Sequence, residues 1–177
     1  SRANMTGVAR HSVAGLAWYA GELLFNLDGF LFSNLPLLLA VACGWWVLRK
    51  PGPDRIELAA LAGWCVCVWG VYSLLSDNYG GGCMSVRWFV PLLVPGFWLL
   101  ARLLSECPSF RADFLVLTGW GLVLGYQMWQ LGPWMSGPVG GQGETVGRAV
   151  LMWAAVRGAL VARWVWRGRA AQGRAEN

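Results

Sequence analysis

SDNYGGGCMSVRWFVPLLVPGFW, residues 76–98, is the stretch on which the reading of this chain turns. Its first half is polar and glycine-rich and carries Asp77, Asn78, Tyr79 and Arg87, and its second half is apolar and carries Pro91 and Pro95. A polar turn that opens directly into an apolar segment places its polar groups at one face of a membrane. There an integral membrane enzyme would meet a charged lipid or sugar substrate.

The surrounding composition agrees with that setting. The chain is 56% hydrophobic with 13 Trp and only 13% charged residues, against roughly 25% charged in a soluble domain. Mean hydropathy is +0.47. Working outward, four segments have the roughly 20 apolar residues that cross a bilayer: 29–48, 56–76, 88–104 and 114–134. The third is the shortest, and its two prolines predict a kink. A fifth candidate, 149–166, is interrupted by Arg157 and Arg163; it spans with its arginines snorkelling or facing a cavity, or it lies in the interface. The expectation is therefore an all-α, polytopic transmembrane helix bundle of four to five spans. Val13, Leu16, Ala17, Tyr19, Ala20, Leu23, Leu24 and Leu27 recur at helical spacing, which predicts an amphipathic surface helix ahead of the first span.

Basic residues in short loops set the orientation. RKPGPDR (49–55) holds Arg49, Lys50 and Arg55, and the connection after the third span is flanked by Arg102 and Arg111, so both are expected on the cytoplasmic side. The glycine-rich loop, ELLFNLD (22–28) and PWMSGPVGGQGE (133–144) then fall on the outer side, and a spanning fifth segment returns the arginine-rich tail to the cytoplasm. The expected organisation is an outer-face amphipathic segment (1–28), a four-span region (29–135), and a stretch (136–177) with a glycine-rich outer loop, a candidate fifth span and a basic tail. Half of the 14 basic residues lie beyond residue 110. Arginines flanking apolar helices read as orientation signals and headgroup contacts rather than as a nucleic-acid surface.

The chemistry-bearing motifs are few. His11 is the single histidine, the five cysteines show no zinc spacing, and no phosphate loop, dinucleotide fingerprint, HExxH or GxSxG occurs. No metal, cofactor or catalytic residue is therefore expected, and the cysteines read as packing residues or free thiols. Trp45, Trp46, Trp88, Trp129 and Trp134 fall near span ends, where amphipathic rings anchor. Gly80, Gly81 and Gly82 allow a tight turn and close approach of a ligand; alone they describe a plain membrane turn. Arg87 adds a persistent cation able to clamp a phosphate bidentately. Asp77 and Asn78 suit sugar hydroxyls, and Tyr79 offers a stacking face. The competing reading is an Asp77–Arg87 ion pair that closes the loop.

NYGGGCMSVRWFVPLLVP (78–95) resembles the extracytoplasmic motif of bacterial membrane glycosyltransferases of the GT-C superfamily, which includes protein mannosyltransferases and aminoarabinose transferases. ELLFNLDGFLFSNLPLLLAV (22–41) is similar to the family's surface helix leading through glycine into a span, with Leu35-Pro36 in the matching place. TGWGLVLGYQMWQLGPW (118–134) is similar to a late span. The resemblance covers about residues 12–135. It implies inverting sugar transfer from a polyprenyl-phosphate-linked donor on the outer face of the bacterial inner membrane, with Arg87 on the lipid phosphate, Tyr79, Asn78 and Asp77 shaping the pocket, and Glu22 and Asp28 on the same face. It also implies a catalytic carboxylate in an earlier outer loop. This chain is thus expected to be the carboxyl-terminal part of such a protein and not catalytic alone. The alternative from another class is a small non-catalytic multi-span assembly or interaction protein.

Overall fold

A computed structural model describes residues 12–27, 29–49, 51–76, 86–131 and 142–175, with the backbone alone at 87, 131, 142 and 164–175. Every regular element among them is helical: α1 (Val13–Phe25), α2 (Phe30–Ser33), α3 (Pro36–Cys43), α4 (Trp45–Arg49), α5 (Arg55–Leu75), a 3-10 helix (Arg87–Leu92), α6 (Leu93–Glu106), a 3-10 turn (Pro108–Phe110), α7 (Arg111–Leu131) and α8 (Gln142–Ala175).

Three of these stretches are long and apolar enough to cross a membrane: Arg55–Leu75, Trp88–Glu106 and Gly143–Arg163. At 1.5 Å per residue, a 21-residue helix reaches about 32 Å, close to the thickness of a bilayer core. α7 has that length too, but Asp113, Gln127, Gln130 and three glycines dilute its apolar character. The helices of spanning character thus number three, or four with α7. Residues 132–134, the end of the expected fourth span, lie outside the described residues.

The expected first span, 29–48, is not one helix. Asn34 Nδ2 donates to the Phe30 carbonyl at 2.8 Å and closes α2 locally, and Pro36 starts α3 at the position where its missing N–H does no harm. A second break falls at Gly44, where a Cβ would lie 2.8 Å from Leu99 Cδ2, so α6 approaches too closely for a side chain. Taken across Gly44, the apolar helical piece is Pro36–Arg49, only about 21 Å long. Periodicity and hydropathy saw one apolar run; side-chain capping, proline and a close helix contact divide it.

The third span changes its winding where its prolines predict a kink. Residues Arg87–Leu92 form a 3-10 helix containing Pro91, longer than the three or four residues usual for that conformation, and α6 continues from it to Glu106.

α7 and α8 pack as an antiparallel pair along most of α7. Thr145 Oγ1 donates to Gln127 Oε1 at 3.2 Å, Trp120 Nε1 to Met152 Sδ at 3.3 Å, and Trp153 Nε1 to Asp113 Oδ1 at 2.9 Å. Each step towards the start of α7 meets a residue further along α8. Arg157 reaches Asp113 Oδ2 at 3.3 Å and lies 4.1 Å over the Phe110 ring. It therefore sits beside the first turn of α7, at the end of the hairpin, not halfway along it. Beyond it α8 runs on to Ala175, a further 27 Å or so.

α1 is docked on α5 by Tyr19 and Leu23, both fully buried. The Trp69 indole N–H donates to the Ala20 carbonyl at 2.9 Å, and the Tyr19 hydroxyl donates to Ser76 Oγ at 3.2 Å. Val13, expected on the packed face, is instead 85% exposed. Of the expected anchoring tryptophans, Trp45, Trp46 and Trp129 are exposed, Trp88 is partly buried, and Trp134 lies outside the described residues. Cys43, Cys65, Cys67 and Cys107 are free thiols; Cys83 lies outside the described residues.

Asp113 is wholly buried, and its carboxylate serves both Trp153 and Arg157. Asp113→Ala leaves Arg157 facing apolar surface without its counter-charge. A loss of about 3 kcal/mol is expected, the lower end of the range for breaking a buried pair because Arg157 is one-third exposed. Chemical unfolding in detergent micelles measures it, and the double variant Asp113→Leu/Arg157→Met should recover most of the loss.

Candidate functional site

The 3-10 helix Arg87–Leu92 is held by aromatic contacts. Phe89 is fully buried, meets Phe30 edge-on at 5.6 Å and Tyr72 at 5.8 Å, and its neighbour Trp88 stacks on Tyr72 at 5.2 Å and 10°. Such pairs are worth about 0.5–1.5 kcal/mol each beyond the area they bury. They fix the backbone of Arg87 beside the last turn of α5, one turn from Ser76. Because Tyr19 of α1 also meets Ser76, the helix carrying Glu22 arrives at the same end of the molecule.

Of the residues expected at the site, Glu22 is half-buried on α1, one turn beyond Tyr19. Arg87 opens the 3-10 helix, with its backbone alone described. Asp28, Asp77, Asn78 and Tyr79 lie outside the described residues. The structure thus brings the Glu22 helix, the end of α5 and the Arg87 backbone to one end.

Below that end lies a feature that sequence reading missed. An apolar groove of about 470 Å³ runs between the α3–α4 segment and α5, within the roughly 300–1,000 Å³ typical of ligand sites. Leu92, Pro95, Gly96 and Leu99 form its floor, and Leu24, Phe25, Phe30 and Leu31 close one end. Val41 and Trp45 face Val66 and Trp69 across it, and Leu48 marks the far end. Val41 and Val66 are each 60% exposed, so the groove opens sideways along its length. From Leu37 to Leu48 the lining helices rise about 16 Å. Apolar residues on α3, α5 and α6 gave no hint of it, because hydropathy does not tell a packed face from a grooved one. The one available signal was the small residues Ala40, Gly44, Ala62 and Gly96 on three neighbouring helices.

At the far end, Arg49 closes α4 with its guanidinium 4.2 Å over the Trp45 ring, and Trp45 in turn meets Trp46 at 4.5 Å. Arg102 on α6 is bound to Asp54 at 2.5 Å and lies 3.6 Å from Glu106. No group of three or more metal-ligating side chains occurs among the described residues. The arrangement is suited to holding a long apolar chain, with cationic residues near each end.

Comparison with protein-family models, with curated proteins and with solved structures finds no match.

The attachment of α1, which closes the groove beside Leu24 and Phe25, rests partly on one indole hydrogen bond. Trp69→Phe removes it while keeping an aromatic ring, and should weaken the docking by about 1 kcal/mol. Hydrogen exchange of the amides in Val13–Phe25 should accelerate roughly fivefold, with α7 and α8 unchanged.

Proposed function

We propose that this chain is the carboxyl-terminal membrane part of a glycosyltransferase that takes sugar from a polyprenyl-phosphate donor on the outer face of the bacterial inner membrane. In this reading α5, the 3-10 helix with α6, α7 and α8 each cross the bilayer, and the α2–α4 segment fills the place of a further span. The glycine-rich loop is extracytoplasmic. The proposal rests on one juxtaposition: the 3-10 helix that begins with Arg87 also supplies Leu92 to the groove floor. Five residues at about 2 Å each separate them by roughly 10 Å, the spacing of a lipid phosphate from the chain behind it.

Each part then has a task. The groove takes the polyprenyl chain, and its apolar walls replace the lipid that the chain leaves. Arg87 holds the phosphate and stabilises the charge that grows on it as the sugar departs. Tyr79, Asn78 and Asp77 shape the sugar pocket, with Glu22 and Asp28 beside it. The base that activates the acceptor belongs to an earlier outer loop of the whole protein.

The second reading is a non-catalytic multi-span assembly protein. It is favoured by the self-pairing of described charges: Arg102 with Asp54 and Glu106, Arg148 with Glu144, and Arg157 with Asp113.

Binding of polyprenyl phosphate to the complete protein separates the two. Arg87→Ala should weaken binding tenfold or more, corresponding to loss of a charge-assisted contact of about 1.5–3 kcal/mol. Ala62→Phe, which puts a ring into the groove, should weaken it comparably. Unchanged affinity in both variants would overturn the transferase reading.

A further inference from the structure

We infer that the Arg49 end of the groove is a binding site for an anionic glycerophospholipid, drawn from the leaflet beside the 49–55 connection. Its phosphate rests on Arg49, and one acyl chain lies along the groove. The lipid site itself does not depend on the transferase reading; only the competition described below rests on it.

Arg49 is set up for such a contact. It is exposed at the last position of α4, braced flat over Trp45, and Trp45 is itself part of the groove wall. The cation therefore stands at the mouth of the slot. Among the described residues Arg49 enters no ion pair, whereas Arg102 close by is tied to two carboxylates. Arg55 begins α5 on the other side of the connection, is likewise exposed, and has no carboxylate partner among the described residues. A planar guanidinium held by an aromatic face keeps its edge donors free for the oxygens of a phosphate. Clustered basic residues at a leaflet surface favour lipids of net negative charge over zwitterionic ones.

The dimensions suit one chain from one leaflet. The wall from Leu37 to Leu48 rises about 16 Å, half of the roughly 30 Å hydrocarbon core. An acyl chain whose headgroup is at Arg49 would end against Phe25 and Leu31, where the groove is closed. The sideways opening past Val41 and Val66 lets the chain enter directly from the bilayer, with no segment needing to move. Gly44 and Gly96 line the slot, with Leu99 and Leu37 packed where their side chains would otherwise be.

Since a polyprenyl chain would enter the same slot from the Arg87 end, the two lipids exclude one another over Leu92, Pro95 and Gly96. The phospholipid is then the resting occupant that a donor displaces, so donor affinity falls as the anionic lipid content of the membrane rises.

The test is native mass spectrometry of the full chain, released from mixed micelles containing equal dioleoyl-phosphatidylglycerol and dioleoyl-phosphatidylcholine. The wild type should retain one phosphatidylglycerol with at least a fivefold preference. Arg49→Ala should lower that preference about fivefold, the worth of one basic residue near a headgroup, and Arg49→Gln should do the same. Ala62→Phe should lose both lipids. Arg87→Ala should leave phosphatidylglycerol retention unchanged. Equal retention of the two lipids by the wild type, or a preference untouched by both Arg49 variants, overturns the proposal. Because Arg49 is exposed, its replacement leaves the packed interior intact. Retention of phosphatidylglycerol by this chain, together with a complete protein that ignores polyprenyl phosphate, would defeat the transferase reading while upholding this one.

Discussion

In hydrocarbon no backbone polar group can be left to water, and the sequence RWFVPLLVPGFW meets that constraint with two residues that have no N–H to give. In an α-helix Pro91 would leave the Arg87 carbonyl without its donor, and Pro95 would do the same to Pro91. The chain answers by winding tighter. In the 3-10 segment the Phe89 N–H reaches the Val86 carbonyl at 2.9 Å, and the Leu93 N–H reaches Val90, before α6 resumes the ordinary pattern. Much of the molecule follows from this. The tighter winding aims Trp88 and Phe89 at Tyr72 and Phe30, which pins Arg87 beside the end of α5. Gly96, which follows, lets the Leu37 side chain of α3 come close to the α6 backbone, and Pro95 and Gly96 line the groove alongside.

The helices themselves were legible from composition and spacing. α5 appears within one residue of its expected limits, the change of winding in the third span coincides with its first proline, and the apolar periodicity of α1 marks a helix that does dock. The division of the first apolar run was not legible, because Asn34 and Gly44 act through contacts, one with the Phe30 carbonyl and one with Leu99. The depth of Arg157 was equally hidden. Asp113 lies one residue before the expected fourth span, and only the register of α7 against α8 shows that it is the partner of Arg157.

The site was legible in part for the same reason. Chemical type singled out Arg87 and the polar loop, and the fold places the Arg87 backbone at a fixed point. Yet the groove is a property of three helices at once, and Arg49, read only as an orientation signal, gains its meaning from the ring beneath it. A loop can be noticed in one dimension, whereas a slot needs three.

The two sides of the molecule handle charge in opposite ways. Between α7 and α8 a buried acid is matched by a partly exposed base and an indole N–H, so its charge is already answered within the interface. Along the groove the lining is apolar, with the Arg49 guanidinium near one end and the backbone of Arg87 near the other. A slot of this kind in a bilayer cannot stay empty, since its walls would forgo dispersion contacts that any neighbouring chain can supply. Filling it is therefore unselective, and the methylene groups of one lipid serve as well as another's. Under the two proposals made above, selection comes from what is attached to the chain, at Arg49 from one leaflet and at Arg87 from the other. If both proposals hold, an apolar slot with a basic residue near each end compares headgroups across a membrane, with the shared middle making the two choices mutually exclusive.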